Sequence, residues 1–173
     1  MDATIETAER TKQIYHCFFF IDYSREIMIK KILVAIDGSE ASKHALDFAV
    51  NLAEQISAEM QLLTVVPPVL LPSLGLYKVR SKAIRECTDE METIFWEILA
   101  KAQSEVEKRS PKLKISTKLK MGEPHKQIVQ IAKLGNFDLI VMGSRGLGSR
   151  FTALGSVSSR VIDEAPCPVA VTR

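Results

Sequence analysis

The sequence has few of the features that mark secreted, metal-binding or membrane proteins. Its three cysteines, Cys17, Cys87 and Cys167, are far apart and form no Cys-x-x-Cys pair. This pattern predicts reduced thiols rather than a disulfide framework or a zinc site. No apolar run reaches the roughly 20 residues that a membrane-spanning helix needs, and the acidic first residues do not form a signal peptide. We therefore expect a cytoplasmic protein without a membrane partner.

A large excess of charge is also missing, since the formal net charge is +2 and aromatic residues make up 6% of the chain. The lysines of residues 112–120 (KLKISTKLK) alternate with other residue types, but no aromatic residue lies between them. Surfaces that bind single-stranded nucleic acid combine basic and aromatic side chains, whereas lysines are common on the solvated side of edge strands. We therefore predict an edge strand here and no nucleic-acid partner.

Candidate catalytic and metal-binding groups are scarce. His16, His44 and His125 are separated and have no metal-ligand spacing. Asp22 and Asp89 belong to no recognisable acid–base pair. The sequence therefore predicts neither a metal site nor a catalytic residue.

What the sequence does have, from residue 30 onward, is a regular alternation of strand and helix patterns. Strand patterns cover 30–37, 60–66, 114–122, 138–143 and 167–172, with helical periodicity between them. This order predicts an α/β fold: one Rossmann-like domain with a doubly wound sheet of five mainly parallel strands and helices on both faces. We assign this domain to residues 28–173. Residues 1–27 differ in composition and form an N-terminal extension of uncertain structure, with Met28 as an alternative natural start.

Local signals also predict where the helices begin and which faces they bury. Ser39 and Ser156 are expected to be N-caps, and Pro124 is expected in the first turn of its helix. The long helical pattern from Val79 to Val106, which includes Phe95, predicts one continuous inner stripe.

Residues 143–159, GSRGLGSRFTALGSVSS, are rich in glycine and serine and directly follow the fourth strand pattern. Ligands of open parallel sheets bind beyond the carboxyl ends of the strands, and a helix N-terminus offers free N–H groups to an anion. Arg145 and Arg150 would add positive charge. The segment is not a Walker loop, because Ser149 and Arg150 stand where that motif has lysine and a hydroxyl residue. It is not a dinucleotide fingerprint either, because it does not follow the first strand.

Four segments together resemble the universal stress protein family: KILVAIDGSEAS (31–42), DLIVMGSRG (138–146), GSVSSRV (155–161) and APCPVAV (165–171). The resemblance covers residues 28–173. The nucleotide-binding branch of this family carries Gly-x2-Gly-x9-Gly-Ser. Gly143, Gly146, Gly155 and Ser156 match this motif with eight residues in the last spacer instead of nine.

The resemblance implies an adenine-nucleotide site for ATP, with or without magnesium, or alternatively for AMP or ADP. The implied site residues are Ala35, Asp37, Ser39, Val65, Met142, Gly143, Arg145, Gly146, Gly155, Ser156, Val157 and Ser158. Asp37 and Val65 would hold the adenine and ribose side. The segments 142–146 and 155–158 would hold the ribose and the phosphates.

The resemblance therefore implies an ATP-binding stress-response sensor or regulator, which forms a homodimer through its C-terminal strand. Because no general base is evident, we expect slow ATP hydrolysis at most. The shortened spacer supports an alternative, a dimeric scaffold of the same fold that does not bind nucleotide. A nucleotide-hydrolase or ligase-like enzyme is a further alternative, and it would require a second substrate.

Overall fold

A computed structural model describes residues 28–68, 77–147 and 154–173, with the backbone alone for 77–85. The strands are β1 (Lys31–Ala35), β2 (Glu59–Val66), β3 (Ile115–Met121), β4 (Leu139–Gly143) and β5 (Val169–Thr172). The helices of this part of the chain are α1 (Glu40–Ile56), α2 (Tyr77–Arg109), α3 (Pro124–Leu134) and α4 (Ser156–Glu164). The predictions made for residues 1–27 and for Arg150 lie outside the described residues.

The five strands form one sheet in the order β3-β2-β1-β4-β5, and every pair is parallel. The first strand is central, so the chain winds outward first to one edge and then to the other. This confirms the predicted doubly wound α/β fold. In the register of the central strands, Ala35 lies beside Leu63 on one side and Met142 on the other.

Two apolar clusters hold the helices to opposite faces of the sheet. One joins α1 and α2 to alternate strand residues such as Val34 and Leu62, which are fully buried. The other joins α3 and α4 to the intervening residues, including Leu33 and Leu63. Full burial of such a side chain contributes about 1.5–3 kcal/mol. Because both faces of the central strands are covered, these strands are continuous apolar runs in the sequence.

Helix α2 departs from the predicted continuous stripe. Among its residues with described side chains (86–109), the buried ones lie near the C-terminal end: Leu99, Ala102 and Val106. Cys87 is exposed, and Ile94 is 54% exposed. Since α2 runs antiparallel to β2, its earlier turns extend past the carboxyl edge of the sheet, where no strand lies beneath them. The predicted inner stripe was therefore wrong at Cys87 and Ile94.

Strand β3 lies at one edge of the sheet, and its Lys118 and Lys120 are exposed, as predicted for a lysine-bearing edge strand. Strand β5 lies at the other edge. None of the described helices is long and apolar enough to cross a membrane.

Candidate functional site

A cavity of about 780 Å³ lies at the carboxyl edge of the sheet. This volume is within the range of small-molecule sites. The structure brings together all of the predicted site residues except Ser39 as lining of this cavity: Ala35, Asp37, Val65, Met142, Gly143, Arg145, Gly146, Gly155, Ser156, Val157 and Ser158. They converge because β1 and β4 are adjacent strands, so the loops that follow them meet at one edge.

Gly143 lets the first turn of α1 pack directly against the end of β4. A Cβ atom at this position would come within 2.8 Å of the Ala41 carbonyl carbon and 2.9 Å of the Ser42 nitrogen. Both neighbours are backbone atoms of a helix, which cannot give way locally. Glycine is therefore required here by protein packing, whether or not a ligand is bound.

Asp37 is held at the corner between β1 and α1. Its Oδ1 accepts a hydrogen bond of 3.0 Å from the Ser39 N–H, and its Oδ2 lies against Gly146, where an added Cβ would overlap it. Gly38 makes the corner possible, since it has a φ of +83°, which other residues rarely adopt. One carboxylate oxygen is thus engaged, and the other faces the glycine segment.

Ser39 lies behind the cavity and connects the two loops that form it. As the N-cap of α1, its Oγ accepts a hydrogen bond of 3.2 Å from the Ser42 N–H. The same hydroxyl donates to the carbonyl oxygen of Arg145 at 3.3 Å. The predicted N-cap is confirmed, but Ser39 does not line the cavity, and its hydroxyl is engaged within the protein. We interpret it as a residue that positions the Arg145 backbone.

Ser144 joins β4, β5 and the start of α4. Its N–H donates to the Thr172 carbonyl at 2.6 Å, and its own carbonyl accepts from the Gly155 N–H at 2.7 Å. The Ser158 hydroxyl also lies 2.9 Å from the Ser144 carbonyl oxygen. These bonds hold the beginning of α4 beside the end of β4.

The same hydrogen bonds determine which groups of α4 remain available to a ligand. The Ser158 side chain is buried and its hydroxyl is within 3.0 Å of the Gly155 carbonyl as well, so it is directed into the protein. The N-cap is Gly155, without a side-chain cap, and Ser156 is the first helical residue. The prediction of Ser156 as the N-cap was therefore wrong. The N–H groups of Ser156 and Val157 belong to the first helical turn, which has no intrahelical partners.

The sequence profile of the Universal stress protein family matches residues 28–173, which include every element of the sheet and the whole described cavity. The chain belongs to the universal stress protein family. The match begins at the same residue as the predicted domain.

Individual universal stress proteins are similar to the chain over most of its length. Universal stress protein MJ0531 of Methanocaldococcus jannaschii is 35% identical over 163 residues, which cover 92% of this chain and 91% of that protein. The structure of UspA from Lactobacillus plantarum has a TM-score of 0.75 at 30% identity, covering 84% of this chain and 98% of that one. Two more distant structures, a universal stress protein in complex with cAMP and one from Archaeoglobus fulgidus in complex with dAMP, share the fold at 23% identity, with TM-scores of 0.62 and 0.56.

The cavity of this universal stress protein has further lining residues that sequence reasoning missed. They are Ile36, Ser42, Leu63, Pro67, Phe95, Pro124, Ile128, Leu147, Leu154 and Ser159. Pro67 and Pro124 follow strand ends, and that position was a usable signal. Phe95 had no such signal, because its place depends on how far α2 extends beyond the sheet.

Charged groups are sparse in the cavity. Of the described residues that line it, Asp37 is the one carboxylate and Arg145 the one cation. No cluster of His, Cys, Asp or Glu suited to a metal ion occurs among the described residues. The cavity thus offers backbone N–H groups, one cation and an apolar wall, a set that can bind an anionic ligand with an apolar part.

Proposed function

We propose that this chain binds an adenine nucleotide, ATP foremost, in the cavity at the carboxyl edge of the sheet, and acts as a nucleotide-responsive stress protein. The observation that carries the proposal is the convergence of three features on one cavity. These are the Asp37 corner, the glycine segment after β4 and the N-terminus of α4.

The N-terminus of α4 forms the phosphate end of the proposed site. Ser156 and Val157, whose N–H groups belong to the first turn of α4, line the same cavity as Arg145. A helix N-terminus carries a partial positive charge of about half an elementary charge, which favours phosphate oxygens. The Ser156 hydroxyl adds a polar group that, unlike that of Ser158, has no assigned role in the protein.

The eight-residue spacer is compatible with this site. Gly146 and Gly155, which bound the spacer, line the same cavity. The Gly155 N–H bonds to the Ser144 carbonyl at 2.7 Å, so the C-terminal end of the spacer is held beside the end of β4. This favours nucleotide binding over the alternative of a scaffold that does not bind nucleotide.

The Asp37 corner forms the proposed base and ribose end. The free Asp37 Oδ2 is an acceptor suited to a ribose hydroxyl, and Val65 lies on the neighbouring strand. Buried Thr64 connects these strands, since its hydroxyl donates to the Ile36 carbonyl at 3.1 Å. The solved complexes with cAMP and dAMP are consistent with adenine nucleotides as ligands of this fold.

We further propose that the protein regulates rather than catalyses and that it is a cytoplasmic homodimer. Asp37 is the one carboxylate of the described cavity lining, and it is used to hold the corner, so rapid hydrolysis is not expected. Strand β5 is an edge strand of the sheet that the described residues form, and this position supports pairing with a second copy, because edge strands present N–H and C=O groups to a partner.

The decisive experiment is calorimetric titration of the purified protein with Mg·ATP, ADP and AMP, after a check for nucleotide retained from purification. Binding in the micromolar range, weaker without the terminal phosphates, would support the proposal. A protein that neither binds nor retains any of these nucleotides would contradict it and favour the scaffold alternative. Rapid release of phosphate or pyrophosphate during the titration would instead favour an enzyme.

A further inference from the structure

We propose that Phe95 is a specificity-determining residue of the cavity: its ring stacks on the base of the bound nucleotide, so that affinity depends on an aromatic base being present. This inference rests on the proposed function and assigns a residue of α2 to the site. Of the described residues that line the cavity, Phe95 is the one aromatic.

The position of Phe95 follows from the anchored part of α2. Leu99 is fully buried in the cluster that contains Val34 and Leu62. Phe95 precedes Leu99 by four residues and therefore lies on the same helix face. With a rise of 1.5 Å per residue, it is about 6 Å nearer the carboxyl edge of the sheet. This places the ring above the strand ends, where the cavity begins.

A second contact places this part of α2 beside the Asp37 corner. An added Cβ at Gly38 would lie only 2.9 Å from Ile98 Cδ1, so the Ile98 side chain rests directly against the backbone that follows Asp37. Ile98 and Phe95 are three residues apart and share a helix face. Phe95 therefore belongs to the end of the cavity where the base and ribose are proposed to bind, and not to the α4 end.

Phe95 is only partly buried, which leaves its ring accessible to a ligand. Phe95 is half-buried, whereas Leu99, one turn later, is fully buried. A half-buried ring at a cavity wall has a face that a flat base can cover, and stacking of this kind stabilises base binding without choosing among bases. Stacking on Phe95 should therefore raise the affinity for adenine and guanine nucleotides equally. It should not change the affinity for ligands without a base.

The test compares Phe95→Leu, which keeps the apolar bulk, with Phe95→Tyr, which keeps the ring. The matched control is Trp96→Leu, since Trp96 is the next residue, is 47% exposed and does not line the cavity. Calorimetry would measure affinities for ATP, GTP and inorganic tripolyphosphate, and thermal unfolding would verify that each variant folds. We expect Phe95→Leu to weaken ATP and GTP binding by about 5- to 100-fold. It should leave tripolyphosphate unchanged, while Phe95→Tyr and Trp96→Leu bind like the wild type.

The outcomes separate this inference from the proposed function. If the wild type binds ATP and Phe95→Leu binds it with the same affinity, the proposed role of Phe95 is wrong and the proposed function still stands. Equal weakening of ATP and tripolyphosphate would also overturn it, since the effect would then come from packing. If the wild-type protein binds tripolyphosphate as tightly as ATP, both the inference and the adenine-nucleotide function fail. The same holds if it binds no nucleotide.

Discussion

Asp37 and Gly146, which are far apart in the sequence, touch in the structure: the Asp37 Oδ2 atom occupies the space that a side chain at residue 146 would need. The contact joins the β1–α1 corner to the segment after β4. It explains why glycine stands at residue 146 on grounds of packing, since the φ of Gly146 is not among the positive values.

Gly146→Ala is expected to displace the Asp37 carboxylate and break its 3.0 Å bond with the Ser39 N–H. Because the two residues are in contact, their effects should not be additive. In a double-mutant cycle with Asp37→Ala, measured by urea unfolding, we expect a coupling free energy of about 0.5–3 kcal/mol. Nucleotide affinity should fall in Gly146→Ala as well. Additive free energies of unfolding would show that the contact is not formed in solution.

The glycines at 143 and 155 should respond differently to alanine. A Cβ at Gly143 meets helix backbone at 2.8 Å, whereas at Gly155 the nearest atom, the Ser144 carbonyl oxygen, is 3.4 Å away. Overpacking typically costs about 1–3 kcal/mol, so Gly143→Ala should lower the free energy of unfolding by that amount. Gly155→Ala should lower the free energy of unfolding by less than about 1 kcal/mol, because glycine is preferred over alanine at an N-cap. Chemical denaturation would measure which variant is destabilised more. Equal decreases in the free energy of unfolding would contradict the prediction.

Arg145→Ala is expected to weaken ATP binding and to reduce its dependence on salt. A hydrogen bond to a charged group is worth about 1.5–3 kcal/mol, so the affinity for ATP should fall by about 10- to 100-fold. Adenosine, which has no phosphate, should bind equally to the variant and the wild type. The matched control is Lys112→Ala, which removes the same charge from an exposed position before β3. Equal losses of affinity for ATP and adenosine in Arg145→Ala would contradict the proposal that Arg145 binds phosphate.

The outer edge of β5 can be tested with a single proline. The carbonyls of Pro168 and Thr172 accept hydrogen bonds from Ile140 and Ser144 of the β4 side. Strand alternation then directs the Val171 N–H away from β4. Val171→Pro should remove this outward donor and convert the proposed dimer to a monomer, whereas Val171→Ala, which keeps the N–H, should remain dimeric. Sedimentation analysis with circular dichroism would decide, and a folded Val171→Pro dimer would rule out pairing through this edge.

Cys167 should make the protein less stable at alkaline pH. Burial, reinforced by the negative charge of Asp138, raises the pKa of its thiol from 9.0 to about 11. The unfolded chain therefore releases this proton at lower pH than the folded one, and stability should decline between about pH 9 and pH 11. Other groups titrate in this range too, so the measurement is the difference between the wild type and Cys167→Ala in free energy of unfolding. A difference that does not change across this window would contradict the prediction.

Much of the fold could be predicted from local patterns. The apolar runs around Leu33 and Ile140 are continuous because both faces of their strands are covered, which is typical of a parallel sheet. Ser39 and Pro124 begin their helices as expected, since capping and proline geometry act within a few residues. Ser156 did not follow this rule: Gly155, whose N–H bonds to the Ser144 carbonyl, is the N-cap, so α4 starts one residue earlier than a Ser156 cap would place it.

The strand and helix order, the positions of Asp37 and the glycine segment at strand ends, and the family could all be predicted from the amino-acid sequence, because they depend on residue type and spacing along the chain. That β1 lies beside β4, so that Asp37 meets Gly146, is known from the folded structure alone. The folded structure alone also shows that the Ser158 hydroxyl is turned into the protein and that Phe95 reaches the cavity wall. These features depend on packing and hydrogen bonds between residues that are distant in sequence. Local sequence patterns do not predict such contacts.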